Sequence, residues 1–130
     1  MSMSKELDPS LGPLKRWLLT DYRDSNGRMS LALPSFEPNL MFYPDGNIGG
    51  SGGCNRFFAG IEMTGLKIRI GVIASTLMYC SDPPQVMQQE SDFFSCLSRS
   101  VRMELADDRL FFYDEQGSML LRFKLDENFP

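Results

Sequence analysis

The run Gly49-Gly50-Ser51-Gly52-Gly53-Cys54-Asn55, followed after two strand-like stretches by Ser75-Thr76-Leu77-Met78-Tyr79-Cys80, decides how this chain folds. Four of the first five positions in that run are glycine (Gly49, Gly50, Gly52, Gly53), which makes a poor strand or helix interior. Each glycine loses more freedom on folding than other residues and has no side chain to pack. Such a cluster fits a place where the backbone takes positive φ or lies against another strand or a ligand. Asn55 suits the same place, because Asn tolerates the left-handed region. A phosphate-cradling loop fails on spacing: no Gly-x-x-x-x-Gly-Lys-Ser/Thr is present, and Gly50-x-Gly52 leads to Asn55 rather than to a third glycine. The run is therefore expected to be a tight bulge or bend between two strands.

Composition sets the outer bounds. A chain of 130 residues, 42% hydrophobic and 12% aromatic, is one domain with a real core. Its net charge of −4 and scattered basic residues lack the basic footprint of a sequence-independent nucleic-acid binder. There is no histidine, which removes Ser-His-Asp and Cys-His nucleophilic sites and imidazole-ligated metals. Cys54, Cys80 and Cys96 contain no Cys-x-x-Cys, so a structural zinc is not expected, and no cofactor is implied. No apolar run approaches the length of a transmembrane helix. Met1 to Pro13 is too polar for a signal peptide. The expected location is periplasmic or envelope-associated if an export signal has been removed, and cytoplasmic otherwise.

In chain order, residues 1–13 read as a loose tail, residues 14–126 as the domain and 127–130 as a C-terminal tail. Leu14 to Tyr22, Met29 to Leu33 and Asn39 to Tyr43 have strand character, with Asp24-Ser25-Asn26-Gly27 as a turn. Asp45-Gly46 predicts a type I′ hairpin. Phe57, Ala59, Ile61 and Met63 alternate with Arg56, Phe58, Gly60 and Glu62, and Leu66, Ile68 and Ile70 with Lys67 and Arg69. Val72 to Cys80 is expected to continue extended, with Val72, Ala74, Thr76, Met78 and Cys80 on one face. One helix then interrupts the β pattern. Asp82 is expected to cap it, with Pro83 at the first helical position and Gln85 as a capping-box partner. Met87, Phe94, Leu97 and Val101, with Val86 and Phe93, form its apolar stripe, and Glu90 falls oddly on or near that stripe. Short strands follow at Met103–Leu105, Leu110–Tyr113 and Met119–Leu125. The expected fold is α+β but mostly β: a strongly bent antiparallel sheet or partial barrel of about eight strands, with one helix packed on its open side.

The spaced residues Leu40-x-Phe42, Asp45-Gly46, Gly53-Cys54-Asn55-Arg56, Leu66-x-Ile68-x-Ile70-Gly71, Ser75-Thr76-x-Met78-x-Cys80, Met87-x-x-Glu90-x-x-Phe93 and Leu121-x-Phe123 resemble the META domain. This is the family of the bacterial heat-shock protein HslJ and of the META proteins of trypanosomatid parasites. The resemblance spans roughly residues 14–125 and departs from the pattern after Cys80, where Ser81-Asp82-Pro83 replaces an immediate proline. It implies a compact bent sheet or partial barrel with a packed helix, similar in shape to a lipid-binding pilot protein of type III secretion. It also implies roles in heat stress, motility, secretion or virulence, with no attached enzymatic reaction. Its structural motif maps onto Gly53, Cys54, Asn55, Thr76, Met78, Cys80 and Glu90.

Two readings of Cys54 and Cys80 stand side by side: a disulfide, which would stabilise by about 3–4 kcal/mol through loop closure, or two buried thiols acting as small hydrophobes. Cys96 reads as a spare thiol. Glu90 is expected to anchor the helix by accepting hydrogen bonds from the glycine corner or Asn55, since a lone acid is poor equipment for acid–base catalysis. Asp107-Asp108 and Asp114-Glu115 read as solvated turns. Met41, Met63, Met78, Met87, Phe57, Phe94 and Phe123 read as core, or more sharply as the lining of an apolar pocket between helix and sheet. The expectation is a monomeric, non-enzymatic domain of stress or envelope physiology that binds a partner protein. The alternative is a carrier of an apolar or lipid-like ligand. An enzyme ranks third.

Overall fold

A computed structural model of the chain describes Pro9 and residues 13–129, so the expected N-terminal tail lies largely outside the described residues. Eight strands close into an antiparallel barrel: β1 (Arg16–Arg23), β3 (Asn39–Phe42), β4 (Asn47–Ser51), β5 (Arg56–Thr64), β6 (Lys67–Ile70), β8 (Arg102–Ala106), β9 (Arg109–Tyr113) and β10 (Met119–Leu125). Two short extra strands lie on it, β2 (Met29–Leu31) beside β1 and β7 (Ala74–Ser75) beside β5. The β1–β10 pairing completes the circle, so the bent sheet has become a closed barrel. Closure removes most of the exposed edge that an open sheet would carry.

Alternation drives the strands. On β5, Phe57, Ala59 and Ile61 point into the barrel while Arg56, Phe58, Gly60 and Glu62 face out. Three hairpins share one turn chemistry. At Tyr43–Asn47, Gly46 N donates to Tyr43 O and Tyr43 N donates to Asn47 O, with Gly46 at φ +88°. The same two bonds close Asp24–Arg28 and Asp114–Ser118 around Gly27 and Gly117. These are three-residue loops ending in a left-handed glycine, not the type I′ turn expected at Asp45-Gly46. In each loop the glycine alone takes positive φ, whereas a type I′ turn needs it at both central residues.

The glycine run also differs from its expectation. Gly49 and Gly50 belong to β4 and pair with Met41 and Leu40 on one side and with Phe58 and Phe57 on the other. The bend is confined to the residues after Ser51. The stretch from Val72 to Cys80 is not a continued strand either. It pairs only at Ala74–Ser75, and its register against β5 is offset by one residue from that of β6. Gly71 starts this bulge, and the alternation counted through it puts the wrong side chains on one face.

The helix, α1, spans Gln85–Arg99, with Pro84 as its N-cap and no side-chain cap bond. Asp82 and Gln85 do not form the expected capping box, and Pro83 precedes the helix through a cis Asp82–Pro83 peptide. The carbonyl of Pro83 accepts from Val86 N at 3.1 Å, taking one of the donors that a capping side chain would serve. The buried stripe is Val86, Gln89, Glu90, Asp92, Phe93, Cys96 and Leu97, whereas Val101 lies beyond the helix and is exposed. Phe93 stands at the centre of the junction with the barrel, its ring 5.7 Å from Phe57 and 6.2 Å from Phe123. Gln89 ties the helix to the 33–36 loop, accepting from Leu33 N at 2.8 Å and donating to Phe36 O at 2.9 Å. The Cys96 thiol is fully buried and donates to Arg23 O at 3.2 Å; burial raises its pKa.

Asp21 is buried on β1, where it accepts two bonds from Arg122 of β10 at 2.7 and 2.8 Å. A bulge between Leu19 and Asp21 brings this carboxylate into register with Arg122. Replacing Phe93 by Ala is expected to destabilise the fold by about 3–5 kcal/mol in chemical denaturation, as for other large aromatics removed from a packed core. A loss under 1 kcal/mol would show that the helix does not depend on this ring.

Candidate functional site

The site is assembled from three separated pieces of chain: the Gly52–Asn55 bend, the 71–80 segment and Glu90 on the helix. Gly52 lies directly beneath Glu90. A Cβ at Gly52 would stand 2.7 Å from Glu90 Cγ and 2.9 Å from the Phe94 ring, so the helix reaches the bend only because no side chain is there. The carboxylate of Glu90, only 3% exposed, then takes three bonds. Oε2 accepts from Cys54 N at 3.0 Å and from Asn55 N at 2.5 Å, and Oε1 accepts from Asn55 Nδ2 at 2.7 Å. No cation pairs with Glu90 among the described residues. Backbone and amide dipoles replace the water that this charge has lost.

Asn55 uses every bond its amide can make. Its Oδ1 accepts from Thr76 Oγ1 at 2.8 Å and from Met78 N at 2.7 Å. Its Nδ2 donates to Met78 O at 3.1 Å as well as to Glu90. An Asn amide offers two donors and two acceptor sites, so the side chain is saturated. Thr76 Oγ1 in turn accepts from Arg56 N at 3.2 Å. Cys54 and Cys80 form a disulfide across a sequence separation of 26, closing the loop between them. The structure thus brings Gly53, Cys54, Asn55, Thr76, Met78, Cys80 and Glu90 into one connected cluster, while Cys96 sits apart, buried against Arg23.

This cluster holds a strap, residues 71–80, against the outside of the barrel. The strap is uncharged and free of proline from Gly71 to Ser81. Most of its apolar side chains turn outward: Val72 is 94% exposed, Leu77 95%, Tyr79 79% and Met78 56%, while Ile73 packs against the core. Beside it, Tyr43, Gly49, Arg56, Phe58, Ala74 and Thr76 line a shallow pocket of about 400 Å³ on the barrel's outer wall. Reading Met78 as core missed this exposure. Its backbone, not its side chain, is what the cluster captures. Between helix and barrel the space is filled by the rings of Phe57, Phe93 and Phe94, with neighbouring centroids 5.4–5.9 Å apart. Among the described residues no group of three or more His, Cys, Asp or Glu is placed to hold a metal ion.

A closed eight-stranded antiparallel barrel, with one helix bound through a buried Glu to a Gly-Cys-Asn bend, defines the class of the protein. The META domain family model matches residues 12–127, and the chain belongs to that family. Three solved structures share the fold. A protein from Burkholderia xenovorans, determined by NMR, is 19% identical with a TM-score of 0.72, over 96% of this chain and 87% of that one. A second protein determined by NMR is 22% identical with a TM-score of 0.62, over 96% of both chains. The crystal structure of a DUF4847-family protein from Bacteroides vulgatus is 14% identical with a TM-score of 0.64, over 96% of this chain and 99% of that one. No curated protein matches the chain.

Two measurements test the cluster. Thiol titration in denaturant without reductant is expected to count one free thiol, from Cys96, and the Cys54→Ser/Cys80→Ser pair to lose about 3 kcal/mol of stability. A count of three thiols would remove the bridge. Glu90→Gln is expected to cost about 1–3 kcal/mol, because an amide cannot accept all three bonds and turns a donor toward a donor. An unchanged melt would show that the helix is held by packing alone.

Proposed function

We propose that this chain is a non-enzymatic docking domain of stress or cell-envelope physiology, and that the 71–80 strap is the surface it presents to a partner protein. The observation behind this is the pairing of exposure with restraint. Apolar groups left in water are usually scattered singly, whereas contiguous ones mark interaction sites. Here Val72, Leu77, Met78 and Tyr79 lie on one short segment. That segment is held by a disulfide and by the saturated amide of Asn55. A surface ordered before binding loses less entropy on association.

The chain has no histidine, and both oxygens of Glu90 are engaged in holding the bend. Both facts favour a binding role over acid–base chemistry. A carrier of an apolar ligand, with its chamber between helix and barrel, draws less support, because aromatic rings occupy that space.

The test compares proteins retained from a lysate of the source organism by the oxidised chain and by a Leu77→Ser/Tyr79→Ser variant of matching circular dichroism and melting temperature. A protein held by the first and lost from the second supports the reading. Identical retention profiles would sink it.

A further inference from the structure

The barrel has one thin seam, and the strap runs past its end. Strands β6 and β8 are joined by two backbone bonds, Ile68 N to Val101 O at 3.0 Å and Met103 N to Leu66 O at 2.9 Å. Beyond Ile68 the chain leaves β8, steps through the bulge at Gly71 and continues along β5 as β7. Thr76 N donates to Arg56 O at 3.0 Å, and Ala74 is paired with Phe58. In an antiparallel ladder the residues between hydrogen-bonded pairs turn their N–H and C=O the other way. Ser75 therefore aims both backbone groups away from the barrel, a direction fixed by the register of β5 and β7. The backbone N–H and C=O of Ser75 and of Leu77 have no partner among the described residues.

Exposed strand edges are normally protected by charge, proline or cover. Here the protection is limited to the bulge after Gly71 and the shortness of β7: Gly71 to Ser81 contains no charged residue and no proline, and Ala74, Ser75 and Leu77 are exposed. Asn55 and the disulfide hold the edge in place from behind. An added strand would find backbone donors and acceptors at alternate residues, with the apolar side chains of Val72, Leu77 and Tyr79 close by in sequence. Resting on the docking reading above, we infer that the outer edge of residues 73–77 is a strand-addition site, and that its occupant is an extended, alternately apolar segment of a partner polypeptide. Main-chain bonds supply affinity in this mode, and the neighbouring side chains supply selectivity.

The experiment selects 12-residue peptides from a random display library on the oxidised full chain and synthesises the enriched ones. Bound peptide is expected to slow amide exchange at Ser75 and Leu77 at least tenfold. N-methylation of the peptide at alternate residues should weaken binding about tenfold per site, while methylation at the residues between leaves it unchanged, as expected for individual lost hydrogen bonds. Ser75→Pro, checked for an unchanged circular dichroism spectrum, should abolish the interaction; if it unfolds, the exchange and methylation data still decide. Peptides that lose affinity with Leu77→Ser/Tyr79→Ser yet tolerate every N-methylation would overturn strand addition and leave the docking reading standing. Binding indifferent to both changes would remove both readings. Failure of any peptide to enrich, or dimerisation of the chain through this edge in sedimentation, would overturn the assigned occupant.

Discussion

A single buried carboxylate organises this fold. Glu90 carries its charge into the junction between helix and barrel, and only the N–H groups of Cys54 and Asn55, with the Asn55 amide, answer it. Leaving such a charge unsatisfied would cost several kcal/mol. The bend at Gly52–Asn55 and the approach of the helix are therefore one constraint seen from two sides. Gly52 makes the approach sterically possible, and Glu90 makes it favourable. Asn55 then passes the order outward, from the helix to Thr76 and Met78.

The rest of the molecule divides around that point. Inside, Leu19, Leu40, Ile48, Leu110, Phe112 and Phe123 are fully buried, and the barrel is a packed core. Outside, the strap buries Ile73 but holds Val72, Leu77, Met78 and Tyr79 in water, while its backbone is bonded to β5 at Ala74 and Thr76 and to Asn55 at Met78. The network satisfies backbone groups rather than burying side chains, which separates being ordered from being covered. A loop ordered by apolar packing would have hidden the very groups that this one displays.

Much of the fold was legible because it rests on local periodicity. The alternation of Phe57, Ala59 and Ile61, the loops ending at Gly27, Gly46 and Gly117, and the helical stripe of Gln85–Arg99 are readable from neighbours in sequence. The cluster was legible in part. Of the four glycines only Gly52 and Gly53 lie in the bend they announce, and Glu90 stands out as a charge among apolar neighbours. What escaped was non-local or cumulative. Closure depends on β1 meeting β10, which no local pattern reports. The bulge after Gly71 shifts the register against β5 by one residue and the pairing stops at Ser75, so an alternation counted through to Cys80 does not hold. The capping-box reading of Asp82 and Gln85 failed because the helix starts two residues later, with Pro84 as N-cap and the Pro83 carbonyl taking the N–H of Val86. Buried Asp21 escaped because its partner Arg122 lies 101 positions away.

The meeting of β1 and β10 also imposes an order in time. Arg16 and Asp126 bond across 110 positions, and Trp17 sits opposite Leu125. Nothing can occupy the far side of β1 until β10 has been synthesised. A nascent chain therefore waits with that flank of the sheet bare, and the barrel forms late in translation as a single event. Topologies dominated by such distant pairings fold slowly and are vulnerable to association while they wait. The interval before the last strand emerges is when the sheet lies most open to a wrong pairing.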